Sequence, residues 1–157
     1  MKYGLILFLS LLILSPAHSF KKIPQDIEKM LQEAVNKAYI PEHRSKYKVG
    51  TVFETNDGQI TTGSNVKLPC GLTMCAERIA LYKILTQSSK EKDSIKIKKI
   101  YVDNHKGKAC IPCGVCLQAL APFVTEDTTI FYRDGKGNFQ NTAFKALLPY
   151  PFVGEQY

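Results

Sequence analysis

Two short cysteine-containing segments constrain the fold of this chain more than any other feature of its sequence. The first is Cys75-Ala76-Glu77, and the second is Pro112-Cys113-Gly114-Val115-Cys116, whose first cysteine lies 38 residues after Cys75. Each segment lies at the predicted start of a helix, and the interval is long enough for one helix, one strand and a loop. A Cys-x-x-Cys pair at the start of a helix points both sulfur atoms the same way. A thiol from the other helix start would then complete a cluster of three sulfur atoms.

Three thiolates in this arrangement predict a catalytic zinc site. Zinc prefers sulfur and nitrogen ligands in a tetrahedron, and a catalytic site uses three protein ligands and leaves the fourth position to water. The partial positive charge at a helix N-terminus favours thiolate over thiol. Glu77 lies two residues after Cys75, which is close to the metal without being a ligand. The sequence therefore predicts Cys75, Cys113 and Cys116 as zinc ligands and Glu77 as the catalytic proton shuttle.

The five cysteines of the chain leave other interpretations open. A structural zinc site would need a fourth ligand, which Cys70, Cys110 or His105 could supply. A disulfide between Cys113 and Cys116 is another possibility, but it would leave the Cys-Ala-Glu segment unexplained. We interpret His105 as a loop residue, and spacing does not decide whether Cys70 and Cys110 form a disulfide or stay free.

Hydrophobic periodicity predicts one α/β domain over residues 20–157. Apolar residues recur every three to four positions between Pro24 and Pro41, which predicts one buried helical face. The sequence Thr55-Asn56-Asp57-Gly58 predicts a hairpin turn. Strands that alternate with helices indicate a mixed or parallel sheet covered by helices. The other predicted helices are residues 74–85, 113–123 and 142–148, and the predicted strands are 49–54, 60–66, 96–103 and 128–133.

Residues 1–19 have the pattern of a secretory signal peptide. Lys2 gives a basic start, residues 5–14 form an apolar run interrupted only by Ser10, and Ala17-His18-Ser19 supplies the small residues of a cleavage site. The run is shorter than the roughly 20 apolar residues of a membrane-spanning helix. We therefore expect cleavage after Ser19 and a secreted or otherwise exported protein without a membrane association. An uncleaved membrane anchor is the alternative.

The charge of the chain indicates a solvated basic surface rather than a nucleic-acid-binding one. There are 21 Lys and Arg residues against 14 Asp and Glu, which gives a net charge of +7. The lysines are spread along the chain, and charge runs usually face solvent. We found none of the added loops or aromatic platforms that a single nucleic-acid strand needs for stacking. We therefore expect no specific nucleic-acid partner.

Several motifs carry a resemblance to a known family over roughly residues 23–152. They are Ser45-Lys46-Tyr47-Lys48-Val49-Gly50, Thr62-Gly63-Ser64-Asn65-Val66, Gly71-Leu72-Thr73-Met74-Cys75-Ala76-Glu77-Arg78, Pro112-Cys113-Gly114-Val115-Cys116-Leu117-Gln118 and Leu147-Leu148-Pro149-Tyr150-Pro151-Phe152. On these motifs the chain resembles the small homotetrameric cytidine deaminases. Zinc deaminases combine a Pro-Cys-x-x-Cys segment with a third Cys or His ligand and a Glu that does not bind the metal.

The resemblance implies a fold, a reaction and a set of site residues. The fold would have three layers, with a mixed five-stranded sheet covered by helices. The reaction would be the hydrolytic deamination of a pyrimidine nucleoside in pyrimidine salvage, and the resemblance also implies a homotetramer. The resemblance assigns Tyr47 to packing on the pyrimidine, Asn65 to the ribose, Ala76 to backbone contacts with the base, Phe152 to the site of a neighbouring subunit, and Arg78 to softening the charge of the thiolates.

Two departures from the family pattern leave the substrate open. The family has Asn-x-Glu after the hairpin, with the Glu on the ribose, whereas this chain has Asn65-Val66-Lys67. The loop that follows Lys67 is one residue shorter, as in the blasticidin deaminases. Deamination of cytidine or deoxycytidine is the leading hypothesis. Deamination of a modified cytosine nucleoside or nucleotide is the second, and a non-catalytic zinc-binding protein is the third.

Overall fold

A mixed five-stranded sheet forms the centre of the fold. The structure, a computed structural model, describes residues 22–42, 46–88, 91 and 94–152, so the predicted signal peptide lies outside the described residues. The sheet order is β2-β1-β3-β4-β5, in which only β3 and β4 pair in parallel. The predicted mixed sheet is thus confirmed. The strands are β1 Val49–Thr55, β2 Ile60–Ser64, β3 Ile97–Asn104, β4 Val124–Arg133 and β5 Phe139–Ala143, and the helices are α1 Gln25–Asn36, α2 Ala76–Gln87, α3 Gly114–Leu120 and α4 Phe144–Leu147.

Helix α1 covers one face of the sheet. Its buried residues Ile27 and Leu31 recur at helical spacing, as the sequence predicted, and they pack in one cluster with Val52, Tyr101 and Phe139 of the strands. Pro24 caps the helix, where the missing N–H of proline leaves no helical hydrogen bond unmade. None of the helices in the described part of the chain is long and apolar enough to cross a membrane.

The other three helices cover the opposite face. Successive residues of a strand point to opposite faces, so Phe53 faces away from its neighbour Val52 and joins a second core. That core also contains Ile84 of α2, Leu120 of α3 and Phe144 of α4. The two clusters on either side of the sheet establish the expected three-layer architecture.

Two glycines let helices approach the sheet at backbone distance. A Cβ atom on Gly50 would lie 2.5 Å from the backbone nitrogen of Val35 in α1. A Cβ atom on Gly63 would lie 2.1 Å from the carbonyl oxygen of Ala76, the first residue of α2. The amino-terminal end of α2 therefore rests directly on β2, which fixes the height of Cys75 above the sheet.

The predicted elements differ from the structure near the carboxyl-terminal end of the domain. Strand β5 was not recognised from periodicity, because only Phe139 among its five residues is buried and the others give no apolar alternation. Its position after the Asp134–Asn138 turn was the available signal, since Asp134 closes that turn by hydrogen bonds to the backbone of Lys136 and Asn138. Helix α3 ends at Leu120, earlier than predicted, and the following turn contains Pro122.

The contact at Gly63 predicts a steric effect of a single methyl group. We expect Gly63→Ala to lower the free energy of unfolding by about 1–3 kcal/mol, the usual cost of overpacking, because the new Cβ meets backbone that cannot rotate away. Thermal unfolding would measure it. Gly135→Ala is the matched control, because a Cβ atom at Gly135 meets nothing within 4 Å. Equal stability of the two variants would contradict the close packing of α2 on β2.

Candidate active site

Three thiols from two helix starts form the centre of the site. Cys75 is the N-cap residue of α2, Cys113 is the N-cap residue of α3, and Cys116 lies in the first turn of α3. The Sγ atoms of these three cysteines lie within 4.8 Å of one another. The Sγ atoms of Cys113 and Cys116 are 3.5 Å apart, which is too long for a disulfide. The structure therefore brings together the three predicted metal ligands as free thiols.

The thiol cluster fits a zinc ion in donor chemistry and in size. Tetrahedral zinc with Zn–S bonds of about 2.3 Å places its sulfur ligands about 3.8 Å apart, close to the separations found here. Cys116 is fully buried, whereas Cys75 is half-buried and Cys113 is exposed. Three ligands leave one tetrahedral position for water or substrate, as in catalytic rather than structural sites.

Arg78 adds positive charge beside the cluster. Its Nη2 atom donates to the carbonyl oxygen of Thr73 over 3.3 Å. Hydrogen bonding from Cys116, together with the Arg78 guanidinium, lowers the pKa of Cys75 to about 5. The same bond to Cys75 and burial raise the pKa of Cys116. Within the described ranges, Arg78 Nε is buried without a hydrogen-bond partner, and the guanidinium interacts with Cys75 and with the charge of Cys116.

Glu77 places a buried carboxyl beside the thiols. Only 4% of its surface is exposed, although it lies in the first turn of α2, two residues after Cys75. Burial, followed by the negative charge of Cys75, raises the pKa of Glu77 to about 7. A carboxyl with such a pKa exchanges protons readily at neutral pH, which is the property required of a general acid and base.

Glu77 and two of the thiols open into a cavity of about 250 Å³. Tyr47, Asn65 and Ala76, the three residues assigned to substrate contacts within one subunit, all line it. Asn65 is 5% exposed and Ala76 is fully buried. The described lining residues are Tyr47, Val49, Asn65, Lys67, Thr73, Met74, Cys75, Ala76, Glu77, Cys110, Ile111 and Cys113.

Asn65 also holds the chain that carries Tyr47. Its Oδ1 atom accepts from the backbone N–H of Val49 over 2.8 Å, and its Nδ2 atom donates to the carbonyl oxygen of Tyr47 over 3.0 Å. An amide side chain still has one N–H and one lone pair after two such bonds. Asn65 can therefore bind the backbone of Tyr47 and Val49 and still form a hydrogen bond with a ligand.

Phe152 stands apart from the other predicted site residues. The described lining of the cavity does not include it, and 72% of its surface is exposed. Its backbone is nevertheless fixed, because its N–H donates to Gln118 Oε1 over 2.9 Å and its carbonyl accepts from Gln118 Nε2 over 2.7 Å. The tail is thus anchored on α3, and Phe152 is not among the described residues that line the cavity of its own chain.

Cys110 is a cavity residue that sequence reasoning did not assign. Cys110 and Cys70 are both free thiols in the structure. The thiol of Cys110 lies near the hydroxyl of Tyr47, and the two groups influence each other's pKa. Burial and the negative charge of Glu77 raise the pKa of Cys110 to about 11. Its spacing of three residues from Cys113 was the available signal, but the same spacing also fitted a fourth metal ligand or a disulfide.

Comparisons with known proteins agree with this geometry. The family model for the cytidine and deoxycytidylate deaminase zinc-binding region matches residues 24–132. A cytidine deaminase of Halalkalibacterium halodurans is 31% identical over 134 residues, which cover 83% of this chain and 96% of the relative. The crystal structure of a cytidine deaminase from Burkholderia pseudomallei has a TM-score of 0.70 at 28% identity, over 83% of this chain and 100% of that one. A blasticidin-S deaminase of Bacillus cereus is 24% identical over 139 residues, 86% of this chain and 97% of the relative.

The thiol cluster predicts which cysteines bind metal. We expect Cys75→Ser, Cys113→Ser and Cys116→Ser each to reduce bound zinc well below one ion per chain, because serine is a poor substitute for a thiolate ligand. Elemental analysis of the purified variants would measure it. Cys70→Ser and Cys110→Ser are the matched controls and should keep the wild-type zinc content. Zinc loss in Cys110→Ser equal to that in Cys116→Ser would instead indicate a closed site with four ligands.

Proposed function

The chain belongs to the cytidine and deoxycytidylate deaminase family, and from this premise we propose that it hydrolyses cytidine or deoxycytidine to uridine or deoxyuridine and ammonia. One observation carries the proposal: a buried carboxyl, that of Glu77, lies beside three clustered thiols, and Glu77 and two of these thiols line a cavity. That arrangement serves proton transfer next to a metal. A purely structural zinc site would not require it.

The three thiols would hold a zinc ion, which when bound supplies a Lewis acid that lets water act as a nucleophile near neutral pH. Glu77 would accept the proton that this water loses. It would pass this proton to the ring nitrogen, take the second proton of the same water, and give it to the departing amino group, so that ammonia leaves and the oxygen stays on the ring carbon as a carbonyl. The buried position of Glu77 keeps bulk water from competing for these protons. Burial also supports both roles, because it brings the pKa of Glu77 to about 7.

The other cavity residues would orient the substrate. Tyr47 offers an aromatic wall for the pyrimidine, Ala76 offers backbone groups to the base, and Asn65 offers its remaining amide capacity to the sugar. Arg78 would offset part of the charge of the three thiolates, which otherwise weakens zinc as a Lewis acid.

A second candidate substrate is a cytosine nucleoside or nucleotide with an acidic group. Lys67 favours it, because Lys67 and Asn65 are alternate residues of an extended segment and both line the cavity. The backbone of Lys67 is fixed by the bond from its N–H to the carbonyl of Tyr39 over 2.9 Å. An ammonium group at this wall would attract a phosphate or carboxylate on the sugar side of the substrate.

We further propose that the protein is exported and works as a homotetramer. The apolar run and small-residue site of residues 1–19 support export, and an amino terminus at Phe20 in the secreted protein would establish it. The exposed side chains of Tyr150 and Phe152, on a tail anchored to α3, support assembly, because exposed aromatic residues on a fixed backbone suit a subunit contact. Light scattering at a mass of one chain would refute the assembly.

The proton-transfer role predicts a selective loss of turnover. We expect Glu77→Gln to lower kcat for cytidine by about 10²–10⁴-fold, the usual contribution of a general acid and base, with zinc content and cytidine binding retained. A spectrophotometric deamination assay and calorimetric binding would measure the two effects. Glu126→Gln, at a carboxylate with a side chain 85% exposed, is the matched control. Full activity in Glu77→Gln would overturn the proposed function.

The position of Lys67 predicts a change in substrate preference. We expect Lys67→Gln to lower kcat/KM for cytidine 5′-monophosphate by about twofold to fivefold relative to kcat/KM for cytidine, since one ion pair near the surface contributes up to about 1 kcal/mol. Lys145→Gln is the control, because Lys145 is ion-paired with Glu126 and is absent from the described cavity lining. An unchanged ratio would leave the neutral nucleoside as the substrate class.

A further inference from the structure

Tyr47 and Val49 line the cavity where the chain enters β1, and the segment Tyr47–Val49 is held from two sides. On one side the amide of Asn65 binds the backbone of Tyr47 and Val49. On the other side lies His105, the residue after β3. The position of Tyr47, and with it one wall of the cavity, therefore depends on the neighbours of this short segment.

His105 forms two hydrogen bonds with Lys48. The backbone N–H of His105 donates to the carbonyl oxygen of Lys48 over 3.2 Å. The backbone N–H of Lys48 donates to Nδ1 of His105 over 3.1 Å. The regular pairing of β1 and β3 ends at Val49 and Asn104, so the histidine side chain extends this pairing by one residue. Because Nδ1 accepts a hydrogen bond, the neutral ring carries its proton on Nε2.

The ring of His105 also packs against the ring of Tyr47. The ring centroids are 5.8 Å apart and the planes make an angle of 76°, an edge-to-face arrangement that aromatic pairs favour. The hydroxyl of Tyr47 also lies near the thiol of Cys110. The backbone of Tyr47 is thus held by Asn65, and one edge of its ring is held by His105.

We propose that His105 is a positioning residue that sets the affinity of the site for the pyrimidine through Tyr47. The inference rests on the proposed function, in which Tyr47 is the aromatic wall for the base. His105 acts on the ring by two separable means: the acceptor atom Nδ1 orders the backbone of the neighbouring residue Lys48, and the ring restricts the tilt of Tyr47. Its contribution is to ground-state binding, since among the described residues His105 lies outside both the thiol cluster and the lining of the cavity.

Three substitutions separate the two means. His105→Asn keeps an acceptor near the position of Nδ1 and removes the ring. His105→Phe keeps the ring and removes the acceptor. His105→Ala removes both. We expect His105→Ala to raise KM for cytidine about threefold to tenfold with kcat changed less than twofold, because one hydrogen bond and one ring contact each contribute about 1 kcal/mol or less. The variants His105→Asn and His105→Phe should each recover part of the lost affinity.

The control is Lys106→Ala, a truncation of an exposed residue in the same turn. The same variants are also made in the Glu77→Gln background, where calorimetry measures the Kd of cytidine without turnover. Thermal unfolding and zinc content establish that each variant is folded and metal-loaded. A raised Kd in His105→Ala, partly restored in His105→Asn or His105→Phe, would support the inference.

Two results would overturn it. A Kd in His105→Ala equal to that of Lys106→Ala would show that His105 does not position Tyr47, while the proposed function would stand. A loss of kcat alone, with Kd unchanged, would place His105 in the chemical steps and refute a role in binding. Failure of Glu77→Gln itself to bind cytidine, with zinc present, would instead count against the proposed function and withdraw this inference with it.

Discussion

The close packing of α2 on β2 at Gly63 is the contact on which the site depends. Cys75 and Glu77 flank Ala76, the residue whose carbonyl oxygen lies over Gly63. Any side chain at residue 63 would lift this end of the helix and move a thiol and a carboxyl together. The other two thiols belong to α3, which follows β3 in the chain. The cluster forms because both helices pack on one hydrophobic core on the same face of the sheet. The geometry of the thiols therefore follows from the way in which the first turns of α2 and α3 pack on the sheet.

The thiol cluster could be predicted from the sequence because two short motifs specify most of it. Cys-x-x-Cys and Cys-x-Glu each fix which side chains share a helix start, and only the pairing of the two helices was left to the fold. The resemblance correctly implied five strands, whereas periodicity found four. Strand β5 has only one buried residue, so a reading based on apolar alternation had almost nothing to detect. Its formation depends instead on backbone pairing with β4, which leaves no mark in a single sequence.

The contacts around Tyr47 could not be predicted for a different reason. Asn65 and His105 lie 18 and 58 residues after Tyr47 in the chain, and neither has a local pattern that pairs it with that segment. His105 in particular reads as an exposed turn residue. Its contact with Lys48 exists only because β1 and β3 pair in one register, which sets the two residues opposite each other beyond the strand ends. Register follows from the burial of whole strand faces. The details of the cavity wall at Tyr47 thus depend on the complete sheet, whereas the thiol cluster depends on two short motifs.

The burial of Glu77 lowers the stability of the fold and, at the same time, gives its carboxyl a pKa suited to proton transfer. Removing an ionisable carboxyl from water is unfavourable unless a partner compensates it, and the negative charge of Cys75 makes the ionised form of Glu77 less favourable still. A leucine of similar volume would suit this position better if packing alone mattered. The same unfavourable environment raises the pKa of Glu77 to about 7, whereas an exposed glutamate would stay ionised at neutral pH and release protons too easily to act as an acid. Arg78, on the same helix, carries a positive charge that lowers the pKa of Glu77, but this effect is smaller than that of burial, so the pKa stays at about 7. The local destabilisation and the capacity for proton transfer therefore have one cause, which is the depth at which α2 places its first turn.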